Sequence, residues 1–338
     1  MTDLLSITLP IFLIIALGFG AVRLQVVRAE FIPGLGFFVL NFALPALVLH
    51  ALTSQDFSAA FDVGYLFVYA LGSLIVFAAV FALFRFVLRR DLAQAAIASL
   101  GASAANSGFI GFPIATLALG PVALVALPLC MLVEVVLIIP LALGLAEAGE
   151  GEGQGASAAV RAALLRLVKM PLVIAIAIGV VLTLAGVTLP RPPATAVDMI
   201  ADASAACALF VVGGTLASVS REAFAPDLAW ITVAKLVLHP LLVALGFAVI
   251  GGVDPLLVAA GIIFASAPMI TAYPIFAQRF GLSGLAAAAL VIATAASFFT
   301  ITIVLGLLSQ DAPQVRLTEP DAGRQGLALM LQEEFDGR

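Results

Sequence analysis

Ala105-Asn106-Ser107-Gly108-Phe109-Ile110-Gly111-Phe112-Pro113 and Ser266-Ala267-Pro268-Met269-Ile270-Thr271-Ala272-Tyr273-Pro274 are the two stretches on which the fold turns. Each lies inside a long apolar run. Each ends in an aromatic-Pro pair, with small or polar residues about six positions before it. Proline removes a backbone donor, and its ring clashes with the preceding turn. Gly108 and Gly111 weaken that turn in the first stretch, and Pro268 opens the second. Both read as breaks in helices at mid-membrane depth. Unwound backbone there persists only where it is buried in protein or lines a wet cavity. The freed amides at a half-helix N-terminus favour an anion, and the freed carbonyls of the other half favour a cation or a donor.

The rest of the chain makes a membrane the only plausible setting for these breaks. Of its 338 residues, 63% are apolar and 10% charged, and the mean hydropathy is +1.23. A soluble domain runs about 45–50% apolar and about 25% charged. A soluble enzyme of this composition would expose aggregating patches, and disorder needs low hydrophobicity. Fifteen Lys and Arg stand against twenty Asp and Glu, with no basic block, which disfavours a nucleic-acid partner. Cys130 and Cys207 both fall in apolar runs and read as small packing residues rather than a disulfide framework. The N-terminus lacks a basic leader and a small-residue cleavage site, so 4–22 reads as a retained helix.

Ten runs are long enough to span a bilayer core: 4–22, 32–52, 63–85, 93–118, 121–145, 169–189, 195–218, 227–251, 255–279 and 283–308. No alternating pattern of a β-barrel is present. With ten spans, one face carries Arg23, Arg28, Arg85, Arg89, Arg90, Arg161, Arg166, Lys169, Arg221 and Arg279 in its loops, and the other carries only Arg191. Arg316, Arg324 and Arg338 are in the tail, and Lys235 is intramembrane. The positive-inside rule makes the first face cytoplasmic and leaves both termini outside a bacterial-type inner membrane.

The glycine-rich stretch 146–168 reads as a flexible cytoplasmic linker with no P-loop pattern. It divides the chain into a first five-helix unit (1–145) and a second (169–308), followed by a polar tail (309–338) with an amphipathic stretch around 325–335. Five is odd, so the two units are expected to be oppositely oriented, the arithmetic of an inverted repeat. The two breaks then fall in the fourth helix of each unit.

Ionisable groups inside a bilayer are costly and are functional candidates by default. Glu134 lies near the middle of span five. Lys235 and His239, at i and i+4, share a face of span eight. Lys235 would hold an anion, snorkel to the cytoplasmic face, or pair with Glu134. Glu134 or His239 would exchange a proton. Asn41 beside Pro45 in span two, and Asn106 at the first break, add amides suited to a carboxylate or a cation. Asp198, Asp202 and His50 lie near the outer interface. No HExxH motif or other metal-ligand cluster is present, and nothing marks a nucleophile with its base, so an enzyme is not expected. A channel would lack its usual filter motif.

The chain resembles the bacterial branch of the auxin efflux carrier family over essentially all ten spans. The likeness rests on Asn41-Phe42-Ala43-Leu44-Pro45, on Asn106 through Pro113, on Lys235 through His239-Pro240, and on Ala267-Pro268 with Tyr273-Pro274. The resemblance implies an all-α polytopic membrane protein: ten transmembrane helices in two inverted five-helix repeats, with helices four and nine unwound and crossing. That fold is similar to bile-acid sodium symporters and sodium–proton antiporters. It also implies a scaffold and a core domain that move against each other, and small organic acids such as malonate or malate, or auxin-like acids, as substrates. Ala267 stands where a second Asn would complete a symmetric pair across the crossing. The expectation is a secondary carrier of a small organic anion working by alternating access, the alternatives being a channel or a carrier of another solute class. Its binding residues are expected to be Asn106, Ser107, Gly108, Pro113, Asn41, Lys235, Pro268, Thr271, Tyr273 and Pro274. Glu134 and His239 are expected to serve a coupling proton. No cofactor is expected, proton or sodium coupling both being open. Glycine-rich surfaces in spans one, three and eight suit a homodimer or packing within the bundle.

Overall fold

A computed structural model describes residues 2–54, 62–149, 169, 171–217 and 226–311. The linker beyond Gly149, the tail beyond Asp311, and Arg161, Arg166, Arg221, Arg316, Arg324 and Arg338 lie outside the described residues. The described residues are helical, with no strand among them. Seven helices are long and apolar enough to cross a membrane: α1 (Leu5–Arg23), α2 (Ala29–Thr53), α3 (Val63–Val87), α6 (Val122–Gly149), α8 (Arg191–Ala217), α9 (Asp227–Ile250) and α12 (Ser283–Gln310). Between them lie shorter apolar helices: α4 (Leu92–Ser103), α5 (Ser107–Leu119), α7 (Pro171–Leu184) and α10 (Pro255–Ser266). A last short helix, α11, covers Tyr273–Gln278.

The sequence breaks are real breaks. α4 ends at Ser103 and α5 begins at Ser107, and α10 ends at Ser266 and α11 begins at Tyr273. Asp91 and Asp254 cap α4 and α10 by accepting backbone N–H bonds, from Gln94 and from Leu256 and Leu257. Capping satisfies amides that a helix start leaves open.

Four of the five π-helical turns among the described residues share one sequence cause; the fifth, Leu83–Val87, has no proline after it. The four cover Val39–Ala43, Ser107–Gly111, Val133–Ile138 and Ala234–Leu238, and each ends two residues before a proline: Pro45, Pro113, Pro140 and Pro240. A proline in a regular helix clashes with the carbonyl four residues back. Widening the preceding turn by one residue relieves that clash. Such turns recur at functional sites, and these hold Asn41, Ser107, Glu134 and Lys235.

Packing is tight where glycine lets backbones meet. A Cβ on Gly213 of α8 would lie 1.9 Å from the Ile15 carbonyl oxygen of α1, and one on Gly18 would lie 2.2 Å from that of Phe210. α1 packs chiefly on α8, and α7 on α2. α3 packs on α4 and α9, and α9 on α10. α4 packs on α6, and both α10 and α11 pack on α12.

The helix ends are tied by polar side-chain contacts. Arg90 grips Asp227 with Nε and Nη2 at 3.0 and 3.1 Å. Arg279 pairs with Glu147. His50 Nδ1 lies 2.6 Å from Asp198 Oδ1. The first two pairs join ends expected on the cytoplasmic face, and the third joins ends expected on the other.

Candidate functional site

The two breaks meet. Ala105 and Met269 form an antiparallel bridge, and the Asn106 amide donates to the Pro268 carbonyl at 2.7 Å. The Asn106 side chain donates to Thr271 Oγ1, also at 2.7 Å. Thr271, rather than Ala267, is therefore the partner of Asn106 across the crossing. The Asn106 carbonyl accepts from both Ile110 and Gly111 at 3.1 and 2.9 Å, the signature of the widened turn. Gly108 keeps the crossing close to α2, since a Cβ there would touch both Leu44 methyls at 3.1 Å.

A buried polar set lies behind the crossing. Glu134 Oε1 accepts from Ser107 Oγ at 2.6 Å, from Tyr69 Oη at 3.1 Å and from the Ala105 amide at 3.3 Å. Lys235 Nζ donates to the Ala265 carbonyl at 2.8 Å and lies 2.7 Å from His239 Nδ1. The other ring nitrogen of His239 lies 2.9 Å from Ser73 Oγ. The rings of Tyr69 and His239 meet edge-on at 5.9 Å, which joins the two groups. All six side chains are buried.

Several expectations are met differently from the sequence alternatives. Lys235 does not snorkel, because it is fully buried and held by Ala265 and His239. Among the described residues Glu134 and Lys235 do not form a direct ion pair. Each instead has partners of its own. Asn41 stays on α2, where its amide donates to its own helix at Phe37. Leu44, one turn on, is what reaches Gly108. Tyr273 is fully buried with its ring against Gly101, and its hydroxyl has no partner among the described residues. Pro113 is buried and Pro274 half-buried, both in the first turns after their breaks. Thus Asn106, Ser107, Gly108, Pro268 and Thr271 come together, with Glu134 one bond away, while Asn41 bonds its own helix and Tyr273 packs against Gly101 of α4. Tyr69 and Ser73 were missed from sequence. A hydroxyl inside an apolar run gives no signal until its partner is known. Asp198 and His50, expected near the outer interface, are in contact with each other.

Among the described residues no cluster of His, Cys, Asp and Glu suits a metal ion. The arrangement leaves one N–H of the Asn106 side-chain amide for an anion at the N-terminal end of a half-helix, and the Ser107 hydroxyl beside it already donates to the Glu134 carboxylate.

A family model described as membrane transport protein matches residues 4–305. The chain is 29% identical over 320 residues to a Rhizobium meliloti (strain 1021) protein named "Putative malonate transporter", covering 92% of this chain and 98% of that one.

Proposed function

Given that the chain belongs to the membrane transport protein family, the auxin efflux carriers, we propose that it is a secondary transporter of small organic anions, with a dicarboxylate of the malonate class as substrate. The observation that carries this reading is the crossing itself, where the Asn106 amide and the Ser107 hydroxyl sit at broken backbone inside an otherwise apolar protein. The relative named for malonate transport supports the substrate class.

In this reading α4 with α5 is the fourth span, and α10 with α11 is the ninth. The ten spans then form two inverted repeats, 1–145 and 169–308, joined by the cytoplasmic linker 146–168. The packing pattern supports the repeat. Span one packs on span seven as span six packs on span two. Span three packs on the first half of span four as span eight packs on that of span nine. Span four packs on span five as span nine packs on span ten. Spans one, two, six and seven make the scaffold, and the other six carry the crossing. Alternating access is a rocking of one set over the other around the crossing. The Gly108–Leu44 contact lies on the seam between them.

The substrate carboxylate binds the Asn106 amide, with Thr271 orienting that amide. Lys235 supplies positive potential from behind. A sodium ion would need oxygen ligands from freed carbonyls. The Ala265 carbonyl, in the last turn of the first half of span nine, is already taken by the Lys235 ammonium. That favours a proton as the coupling ion. The protein sits in the inner membrane with both termini outside, following its loop charges.

Uptake of labelled malonate into proteoliposomes tests the reading, with an imposed pH gradient and with or without sodium. Saturable uptake that follows the pH gradient and ignores sodium is expected. Absence of uptake of malonate and malate by folded protein would overturn it.

A further inference from the structure

We propose that Glu134 is a resident stand-in for the substrate carboxylate, so that binding at the crossing takes up one proton on this side chain. The inference rests on the organic-anion reading above and deepens it.

The geometry is specific. One oxygen of Glu134 collects the Ala105 amide, the Ser107 hydroxyl and the Tyr69 hydroxyl. Ala105 and Ser107 flank Asn106, and Ser107 opens α5. A half-helix N-terminus at mid-membrane draws an anion, and here the chain supplies its own. A substrate carboxylate bound at Asn106 would want the same donors. Two ionised carboxylates do not share such a site, since like charges in a poorly solvated interior disfavour each other.

Protonation resolves the conflict. A neutral Glu134 releases its claim as an anion and gains an O–H that donates to the incoming carboxylate. The negative charge of Glu134 is then replaced by that of one substrate carboxylate, with Lys235 unchanged, so a bound malonate dianion adds one net charge to the site rather than two. That exchange lowers the cost of burying the dianion.

No other group on the neighbouring helices is placed to do this. α3 presents Tyr65 and Tyr69, and α9 presents Lys235 and His239, which are engaged with each other, with Ser73 and with Ala265. Cys130 lies one turn earlier on α6 and bonds the Leu127 carbonyl. His50 of α2 is spent on Asp198. α4, α5 and α10 carry no titratable side chain.

Calorimetric titration of malonate into the purified full-length protein in nanodiscs tests this, in two buffers of different ionisation enthalpy. The pH range is one in which malonate stays fully ionised. The wild type is expected to take up about one proton per malonate, its affinity falling about tenfold per pH unit once Glu134 is ionised in the free protein. Glu134→Gln is expected to bind with no proton uptake and a flat pH profile. Tyr69→Phe keeps the linked proton but moves the profile to higher pH, because the ionised carboxylate loses a donor. It serves as the second test if the glutamine variant does not fold. Malonate binding without proton uptake in the wild type, or equal uptake in Glu134→Gln, overturns the inference and leaves the transporter reading standing. No malonate binding by folded wild type at any pH overturns the malonate reading itself, and the inference with it.

Discussion

Replacing Asn106 by alanine separates binding from folding. Among the described residues the side chain makes one hydrogen bond, 2.7 Å to Thr271 Oγ1. Its backbone amide, bonded to Pro268, survives in alanine. Side-chain hydrogen bonds between membrane helices average about 0.6 kcal/mol, with a maximum of about 1.7. Asn106→Ala is thus expected to cost about 1 kcal/mol of stability, too little to unfold the protein. The cost to substrate binding is larger. A hydrogen bond to a charged group contributes about 1.5–3 kcal/mol, and each 1.4 kcal/mol is about tenfold. Apparent malonate affinity is therefore expected to fall about 10- to 150-fold. Thr271→Val leaves the amide in place and is expected to lose less. The assay is concentration-dependent uptake into proteoliposomes, beside size-exclusion and thermal-stability profiles of the same preparations. Wild-type uptake by a well-folded Asn106→Ala protein would refute the crossing as the binding site. Loss of the folded peak would refute the small structural role given to the side chain.

Other perturbations probe the frame around the site. Gly213→Leu should abolish accumulation of folded protein, since even a Cβ would lie 1.9 Å from the Ile15 carbonyl. Gly20→Ala, with nothing within 4 Å of the new methyl, should be silent in the same expression assay. Topology follows from exposed positions between helices or at their ends in a cysteine-free background. A membrane-impermeant maleimide should reach Arg28→Cys only from the cytoplasmic side and Arg191→Cys only from outside, and labelling of both from one side would break the ten-span order. Replacing external sodium by choline should leave pH-driven malonate uptake unchanged, and a loss of more than half would restore sodium as the coupling ion.

Much of this architecture is visible in the residues themselves. Pro113 and Pro274, with the small residues before them, mark the two breaks, because a missing donor and a ring clash act locally and leave a local trace. Lys235 and His239 at i and i+4 likewise had to share a face, and their nitrogens meet at 2.7 Å. Partners across helices are another matter. Glu134 and Lys235 look like an obvious pair of opposite charges, yet Glu134 turns to Ser107, Tyr69 and Ala105, and Lys235 to Ala265. The choice depends on where broken backbone leaves donors and carbonyls open, which three-dimensional packing decides. Tyr69 and Ser73 were hidden for the same reason. Four of the five widened turns carry a local sequence signal: Pro45, Pro113, Pro140 and Pro240 each follow one by two residues. These four prolines thus point back to the stretches that hold Asn41, Ser107, Glu134 and Lys235, whereas Pro10 and Pro128 lie inside spans with no widened turn before them.

The central claim is that one site at the crossing carries the anion by alternating exposure. Counterflow tests this most directly. Proteoliposomes loaded with unlabelled malonate are diluted into a trace of labelled malonate, with no ion gradient. A carrier predicts a transient accumulation of label above equilibrium, saturable by malonate and much reduced in Asn106→Ala. Simple equilibration without overshoot, at rates rising linearly with concentration, would contradict alternating access and point to a pore.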